Sequence, residues 1–136
     1  MEASSEDLVR GQIFRARYRV AEVLGRGTQA VVYGAEDVVT HPPRALKVMS
    51  PRLLRTDRER AEFREVMRRA AKVRNPHLVE LIDVGVDEAS DAPFLLMELL
   101  RGQHVGALVE ARGRLDAALV LELLSQMAVA LDRARG

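Results

Sequence analysis

The sequence predicts an α+β fold: a five-stranded antiparallel sheet with one helix, followed by two further helices. Two observations lead to this class. Short apolar and β-branched segments, such as YRVAEVLG from Tyr18 with its alternation of apolar and polar residues, are typical of strands. Apolar residues at helical spacing, after residue 56 and again over residues 115–131, are typical of helices. Along the chain the order is three strands, a helix, two strands and two helices.

The strands are predicted in two groups. The first begins at Tyr18 and continues with AVVYGAED and RALKVM, and the pair Pro42–Pro43 marks a loop because proline cannot donate to a strand ladder. The glycines in GRGTQ predict a turn between the first two strands, in a hairpin arrangement. The segments HLVELIDVGVD and APFLLMELL predict the fourth and fifth strands on either side of a polar loop.

The helices are predicted from their start and stop residues. Thr56 and Glu59 have the spacing of a capping box, and the apolar pattern that follows runs until Asn75–Pro76. A short helix is predicted over residues 103–111. Asp116 is expected to cap a long helix that reaches about residue 134.

Composition restricts the kinds of protein that this chain can be. Of its 136 residues 48% are hydrophobic and 30% are charged, which suits one folded domain or a large part of one. The net charge is +1 with both signs interspersed, so no nucleic-acid partner is expected. The absence of cysteine excludes disulfides and thiolate metal sites. The polar start MEASSEDLVRG is unlike a secretory signal, and ALVLELLSQMAVAL is too short to span a bilayer, so we expect a soluble, cytoplasmic protein without a membrane segment.

The stretch LGRGTQAVVY, residues 24–33, has two glycines one residue apart and invites three interpretations. A dinucleotide-binding fingerprint requires a helix after the glycines, whereas here a strand follows. A Walker-type loop requires Gly-Lys-Ser/Thr directly after it, which is absent. A plain hairpin that uses glycine to turn, and a loop that lies over phosphates, both fit the stretch when it is taken alone.

Lysine is rare in this chain, since only Lys47 and Lys72 are lysine among 21 basic residues. Ammonium and guanidinium groups are not interchangeable, so each lysine invites a functional explanation. Lys47 lies in ALKVM. LGRGTQAVVY comes before it, and a predicted helix, NPHLVELIDVG and FLLMELLRG follow it. Segments in this order resemble the N-terminal lobe of a bacterial, eukaryotic-type Ser/Thr protein kinase. The resemblance extends from about Tyr18 to the last residue. It implies an N-terminal tail at 1–17, a kinase N-lobe with glycine loop and hinge at 18–101, and the start of a C-lobe at 102–136.

The resemblance implies that ATP, with Mg²⁺, is the cofactor and that a protein is the substrate of the complete enzyme. Gly25 and Gly27 would let backbone amides approach phosphate oxygens, and Lys47 would reach the α and β phosphates. Met97 would gate the back of the adenine pocket. The residues assigned to ATP binding in this way are Leu24, Gly25, Arg26, Gly27, Thr28, Gln29, Ala30, Val32, Ala45, Lys47, Met97, Glu98 and Leu100, with Ala30 at the place of the usual third glycine.

The chain departs from the kinase pattern at the lysine's partner. The family pairs its strand lysine with a glutamate on the following helix, and an ungapped count back from NPH puts Val66 there. Glu65 and Glu62 are the alternative partners, Glu65 narrowly preferred. Arg68 and Arg69 are the i+3 and i+4 neighbours that would compete for Glu65.

The sequence also lacks the catalytic loop and the metal ligands of the kinase pattern, so no catalytic residue and no Mg²⁺ ligand can be assigned. The three histidines have no ligand spacing, and no metal site is predicted. The chain by itself is therefore expected not to phosphorylate a protein. The alternative function is that of a pseudokinase-like regulatory or protein-binding module.

The last predicted helix, over residues 115–131, is apolar around most of its circumference. A helix of that kind belongs in a core, because an apolar patch of that size is rarely exposed on a soluble monomer. We therefore expect the missing C-lobe or a partner protein to cover it.

Overall fold

The structure is a computed structural model, and it describes residues 7–135 of the chain. These residues form two compact units, one of residues 7–72 and 80–99 and the other of residues 73–79 and 100–135. None of the described helices combines the length and the apolar character that are needed to cross a membrane.

The first unit is built on one antiparallel sheet, which confirms the predicted α+β class. The sheet has six strands in the order β1-β2-β3-β4-β6-β5, so the predicted number of five is wrong. The additional strand is β1, which pairs with the start of β2 and, at two residues, is too short to show an alternating pattern. The strands are β1 (Ile13–Phe14), β2 (Tyr18–Arg26), β3 (Ala30–Asp37), β4 (Pro43–Met49), β5 (Leu81–Val86) and β6 (Pro93–Glu98).

One face of the sheet carries the hydrophobic core, and we call it the core face. Successive residues of a strand point to opposite faces, and directly paired residues point to the same face. Tyr33 pairs with Leu46 and Leu46 with Leu96, so these buried side chains lie together. Phe94 completes the cluster and meets Phe14 of β1 edge-to-face, with ring centroids 5.3 Å apart.

Residues 7–17, which we call the strap, include the edge strand β1 and contribute Leu8 and Phe14 to the core face. Leu8 packs against the core cluster and donates its backbone N–H to the Tyr33 hydroxyl at 3.0 Å. Further along the strap, Arg17 makes two hydrogen-bonding contacts with the buried Asp37 carboxylate, at 2.9 and 3.0 Å. The Arg17 guanidinium holds the pKa of Asp37 well below its usual range, with the backbone N–H groups of Val39 and Thr40 adding to the effect.

The helix of this unit, α1 (Asp57–Ala70), contacts β5. The predicted capping box is confirmed: the Thr56 side chain accepts from the Glu59 N–H, and the Glu59 carboxylate accepts from the Thr56 N–H, both at 3.1 Å. The helix ends at Ala70, so the expectation that it continues to Asn75 is wrong. A tighter last turn, in which the Lys72 N–H donates to the Arg69 carbonyl at 3.0 Å, ends it earlier.

The second unit contains α2 (Val105–Arg112) and α3 (Ala117–Arg135), close to the predicted positions. Asp116 caps α3, as predicted, by accepting from the Leu119 N–H at 2.9 Å. Among the described residues of α3 only Ala130 is buried, whereas Leu121 and Leu131 are each 67% exposed. The apolar character predicted for this helix therefore lies at the surface of the described chain.

Candidate functional site

The face of the sheet opposite the core, which we call the lysine face, collects residues from three strands. Lys47 in β4 pairs with Val32 in β3 and with Leu95 in β6. One pair further along, Ala45 is opposite Met97. Because paired residues share a face, the side chains of Val32, Ala45, Lys47 and Met97 lie on one side of the sheet. Four residues singled out from three motifs are thus neighbours.

The glycine loop joins β2 to β3 and borders the lysine face. Gly25 pairs with Val32, and the turn is closed by a hydrogen bond from the Gly27 N–H to the Ala30 carbonyl at 2.8 Å. A Cβ placed on Gly25 would meet nothing within 4 Å, and one on Gly27 would meet only the Ala30 carbonyl oxygen at 3.7 Å. Neither glycine has the positive φ that favours this residue. Packing and backbone conformation in the described chain therefore do not require glycine here, and the backbone is open to close approach by a ligand.

The other predicted loop residues are placed around this turn. Leu24, Thr28 and Gln29 are exposed, and Ala30 is half-buried opposite Met49. The Gln29 carbonyl accepts from the Ser50 N–H at 2.8 Å, which ties the loop to the end of β4.

Arg26 differs from its neighbours in the loop. It pairs with Val31, whose side chain packs against the core cluster, so the Arg26 side chain lies on the core face. There its guanidinium meets the Asp7 carboxylate at 2.6 Å. Only the backbone of Arg26 can therefore take part in a site on the lysine face.

The two carboxylates proposed as partners of Lys47 are engaged on their own helix. Glu65 pairs with Arg69 at 3.2 Å and with Arg68 at 3.6 Å, the i+4 and i+3 partners expected from the sequence.

Glu62 pairs with Arg58 at 3.0 Å, and Val66 is 55% exposed. Within residues 7–135 no ion pair joins the Lys47 ammonium to a carboxylate. An anionic ligand could thus pair with the Lys47 ammonium without displacing a carboxylate of the described residues.

The segment predicted as a hinge follows β6. The Glu98 N–H donates to the Glu80 carbonyl at 3.1 Å, and the Glu98 carboxylate accepts from the Glu80 N–H at 2.9 Å. This double contact engages both the N–H and the carboxylate of Glu98 and fixes the residue against the start of β5. Leu100 belongs to the second unit, where it is exposed.

Two features near the site were not found from the sequence. The Glu22 carboxylate lies over Gly34, 3.0 to 3.3 Å from the position of a Cβ on that glycine, and Gly34 shares the lysine face with its partner Ala45. The second feature is the contact of the strap with Arg26. Both depend on contacts between segments that are distant in the chain, about which a local pattern carries no information.

Among the described residues, no three His, Asp or Glu side chains are grouped closely enough to hold a metal ion.

Comparisons with known proteins identify the relatives of this chain. No family model matches the sequence. The chain is 35% identical over 121 residues to the serine/threonine-protein kinase PknD of Mycobacterium tuberculosis, covering 86% of this chain and 17% of that protein. It is 33% identical over 125 residues to the DNA damage-responsive serine/threonine-protein kinase RqkA of Deinococcus radiodurans, covering 90% of this chain and 18% of that protein.

The structure gives a concordant result. It matches the crystal structure of the Mycobacterium tuberculosis PknI kinase domain with a TM-score of 0.83 at 28% identity, covering 95% of this chain and 52% of that one. The chain thus spans about half the length of that domain and less than a fifth of the two curated relatives. The resemblance stated from the motifs is confirmed.

Proposed function

Because the homologues of this chain are bacterial Ser/Thr protein kinases and its fold is that of the first part of a kinase domain, we propose that it is the ATP-binding portion of such a kinase. The observation that supports this most directly is the common face of Val32, Ala45 and Lys47 beside the open backbone of Gly25 and Gly27. In the complete enzyme the bound ATP would supply a phosphoryl group to a protein Ser or Thr hydroxyl.

The residues present fit a nucleotide in two ways. Val32 and Ala45, with Leu24 and Met97, offer apolar side chains for the adenine ring, as ligand pockets commonly do. The amides of the glycine loop and the Lys47 ammonium offer positive charge and donors for the phosphates. The ammonium has no carboxylate partner among the described residues, so a phosphate would not have to displace one.

Phosphoryl transfer is proposed to depend on groups outside the described site. Transfer requires a positioned hydroxyl and neutralisation of charge by metal ions, and the sequence contains neither the catalytic loop nor the metal ligands of the family. We therefore propose that residues 18–101 bind the nucleotide, that 102–136 begin a C-lobe, and that this chain alone does not catalyse transfer.

A regulatory, pseudokinase-like role is the second candidate, and the helix α1 favours it. An ungapped count back from NPH puts Val66 where the family has its lysine-pairing glutamate, and both nearby glutamates are engaged with arginines. Loss of that pair removes the support that holds the ammonium on the phosphates. Unlike the first candidate, this one does not require the folded chain to bind ATP.

The two lysines of the chain provide a matched test. We expect isothermal titration of the wild-type chain with ATP and Mg²⁺ to show binding, and Lys47→Met to weaken it at least tenfold, since roughly 1.4 kcal/mol corresponds to a factor of ten. Lys72→Met, which changes an exposed lysine just after α1, is the control and should bind as the wild type does. Equal binding by the Lys47→Met variant would contradict the phosphate role, and a folded wild type that binds no ATP would favour the regulatory candidate.

Helix α3 gives a second test of the kinase assignment. We propose that the rest of a kinase domain covers its exposed apolar residues, because the solved domain that this chain matches is about twice as long. Light scattering of this chain should then show self-association, and the double variant Leu121→Glu, Leu131→Glu should reduce it. The control Leu53→Glu changes an exposed leucine of the other unit and should leave it unchanged. A dilute monomer in the wild type would contradict the proposal.

A further inference from the structure

The contact between the strap and the glycine loop joins two parts of the chain that are 19 residues apart. Arg26 stands between Gly25 and Gly27, and its Nη1 donates to Asp7 Oδ2 at 2.6 Å. The two side chains are 54% and 55% exposed, so they form a surface ion pair on the core face. The pair therefore approaches the loop from the side opposite to the lysine face.

The Asp7 end of this ion pair is held in place by the strap. The next residue, Leu8, packs against the core cluster and donates its N–H to the hydroxyl of the buried Tyr33 at 3.0 Å. The strap then pairs with β2, where the Gly11 N–H donates to the Val20 carbonyl at 2.7 Å. The Asp7 carboxylate thus belongs to a segment whose backbone is held by hydrogen bonds at Leu8 and at Gly11.

The loop itself has few other attachments. The ladder between β2 and β3 shifts register between Val20 and Val23 and again between Val23 and Gly25, so regular pairing is interrupted just before the loop. The turn is closed by the Gly27–Ala30 hydrogen bond and is tied to β4 through Gln29. Of residues 24–29, Arg26 is the one whose side chain has a recorded hydrogen bond or ion pair in the described structure.

We propose that Asp7 is a positioning residue for nucleotide binding: through Arg26 it holds the glycine loop in the place from which its backbone amides reach the phosphates. This inference rests on the proposed function. Ordering the loop before the ligand arrives reduces the conformational entropy lost on binding. The ion pair should therefore increase the affinity for the phosphates of ATP and not the affinity for adenosine. The reason is that the ion pair orders the glycines, which are the part of the site proposed to contact the phosphates.

The sign of the effect separates positioning from simple charge. Asp7 is negative and lies close to the loop, so its removal should strengthen ATP binding if only Coulomb repulsion mattered. Positioning predicts the opposite, because the loop loses the contact that holds its backbone amides in place. Asp7→Asn is therefore a more decisive variant than Arg26→Gln, for which both explanations predict weaker binding.

The experiment is titration of the wild type and of Asp7→Asn with ATP and, separately, with adenosine. We expect ATP affinity to fall about twofold to fivefold, the range that exposed ion pairs reach, and adenosine affinity to stay unchanged. The exchanged pair Asp7→Arg, Arg26→Asp should restore the ATP affinity. The control is Arg19→Gln, which removes the similarly exposed Arg19–Glu36 pair of the same hairpin, and it should have no effect.

Three results would overturn the inference. Stronger or unchanged ATP binding in Asp7→Asn, with a wild type that binds, rejects positioning and leaves the proposed function intact. An equal loss for ATP and adenosine shows a general structural role instead. A wild-type chain that binds neither ligand rejects both the inference and the proposed function.

Discussion

The two faces of the sheet differ in how they pack against the rest of the described chain. On the core face Tyr33, Leu46, Phe94 and Leu96 are buried, and the strap supplies side chains and hydrogen bonds to them. On the lysine face Gly25 has no neighbour at its Cβ position.

The same strands supply both faces, so strand composition cannot explain this difference. The difference shows which residue types are explained by packing within the fold and which are not. On the core face, packing contacts with neighbouring residues explain why each residue is present, so replacing one should lower the free energy of unfolding. Packing does not explain Lys47 and Gly25 on the other face in this way, and replacing them should affect ligand binding.

Phe94→Ala should reduce the free energy of unfolding most. Phe94 is buried and contacts Phe14, and removal of a buried phenylalanine side chain leaves a cavity and costs about 3–5 kcal/mol. Denaturant unfolding would measure the loss. Lys47→Met on the other face should stay within about 0.5 kcal/mol of the wild type. If the two variants lost similar stability, the division between the faces would be wrong.

Two glycine substitutions compare the faces directly. A Cβ on Gly85 would lie 3.2 and 3.3 Å from Phe94 ring carbons, so Gly85→Ala should cost about 1–3 kcal/mol through overpacking. Gly25→Ala meets no atom and adopts no left-handed φ, so it should leave stability unchanged or raise it by up to about 1 kcal/mol. Thermal unfolding of both variants checks this, and a Gly25→Ala variant as unstable as Gly85→Ala would contradict it.

A further effect is expected only at high pH. Burial, followed by the 2.8 Å hydrogen bond to Asp83, raises the pKa of Tyr18 from 10.0 to about 12. A raised pKa in the folded chain stabilises the fold at low pH, and this contribution is lost as the pH rises from about 10 to about 12. Unfolding measured across that window should show the decline, and Tyr18→Phe should show less of it. An identical decline in both would assign it to another group.

The local elements follow from the sequence because the interactions that specify them are local. The Thr56–Glu59 capping box and the Asp116 cap join residues three apart, and both form as predicted. The order of strands and helices also follows, apart from β1, whose two residues leave no pattern to detect. The end of α1 was misplaced because a tightened turn, rather than Asn75–Pro76, ends it.

The sequence by itself therefore determined the α+β class, the kinase resemblance and the identity of the candidate residues. Only the tertiary structure decided which residues share a face: it groups Val32 with Lys47 and directs Arg26 to the opposite side. It also joined the strap to the glycine loop through the ion pair of Asp7 and Arg26. The physical reason is that register, ion pairing and the path of the strap depend on contacts between segments distant in the chain, which no local pattern encodes.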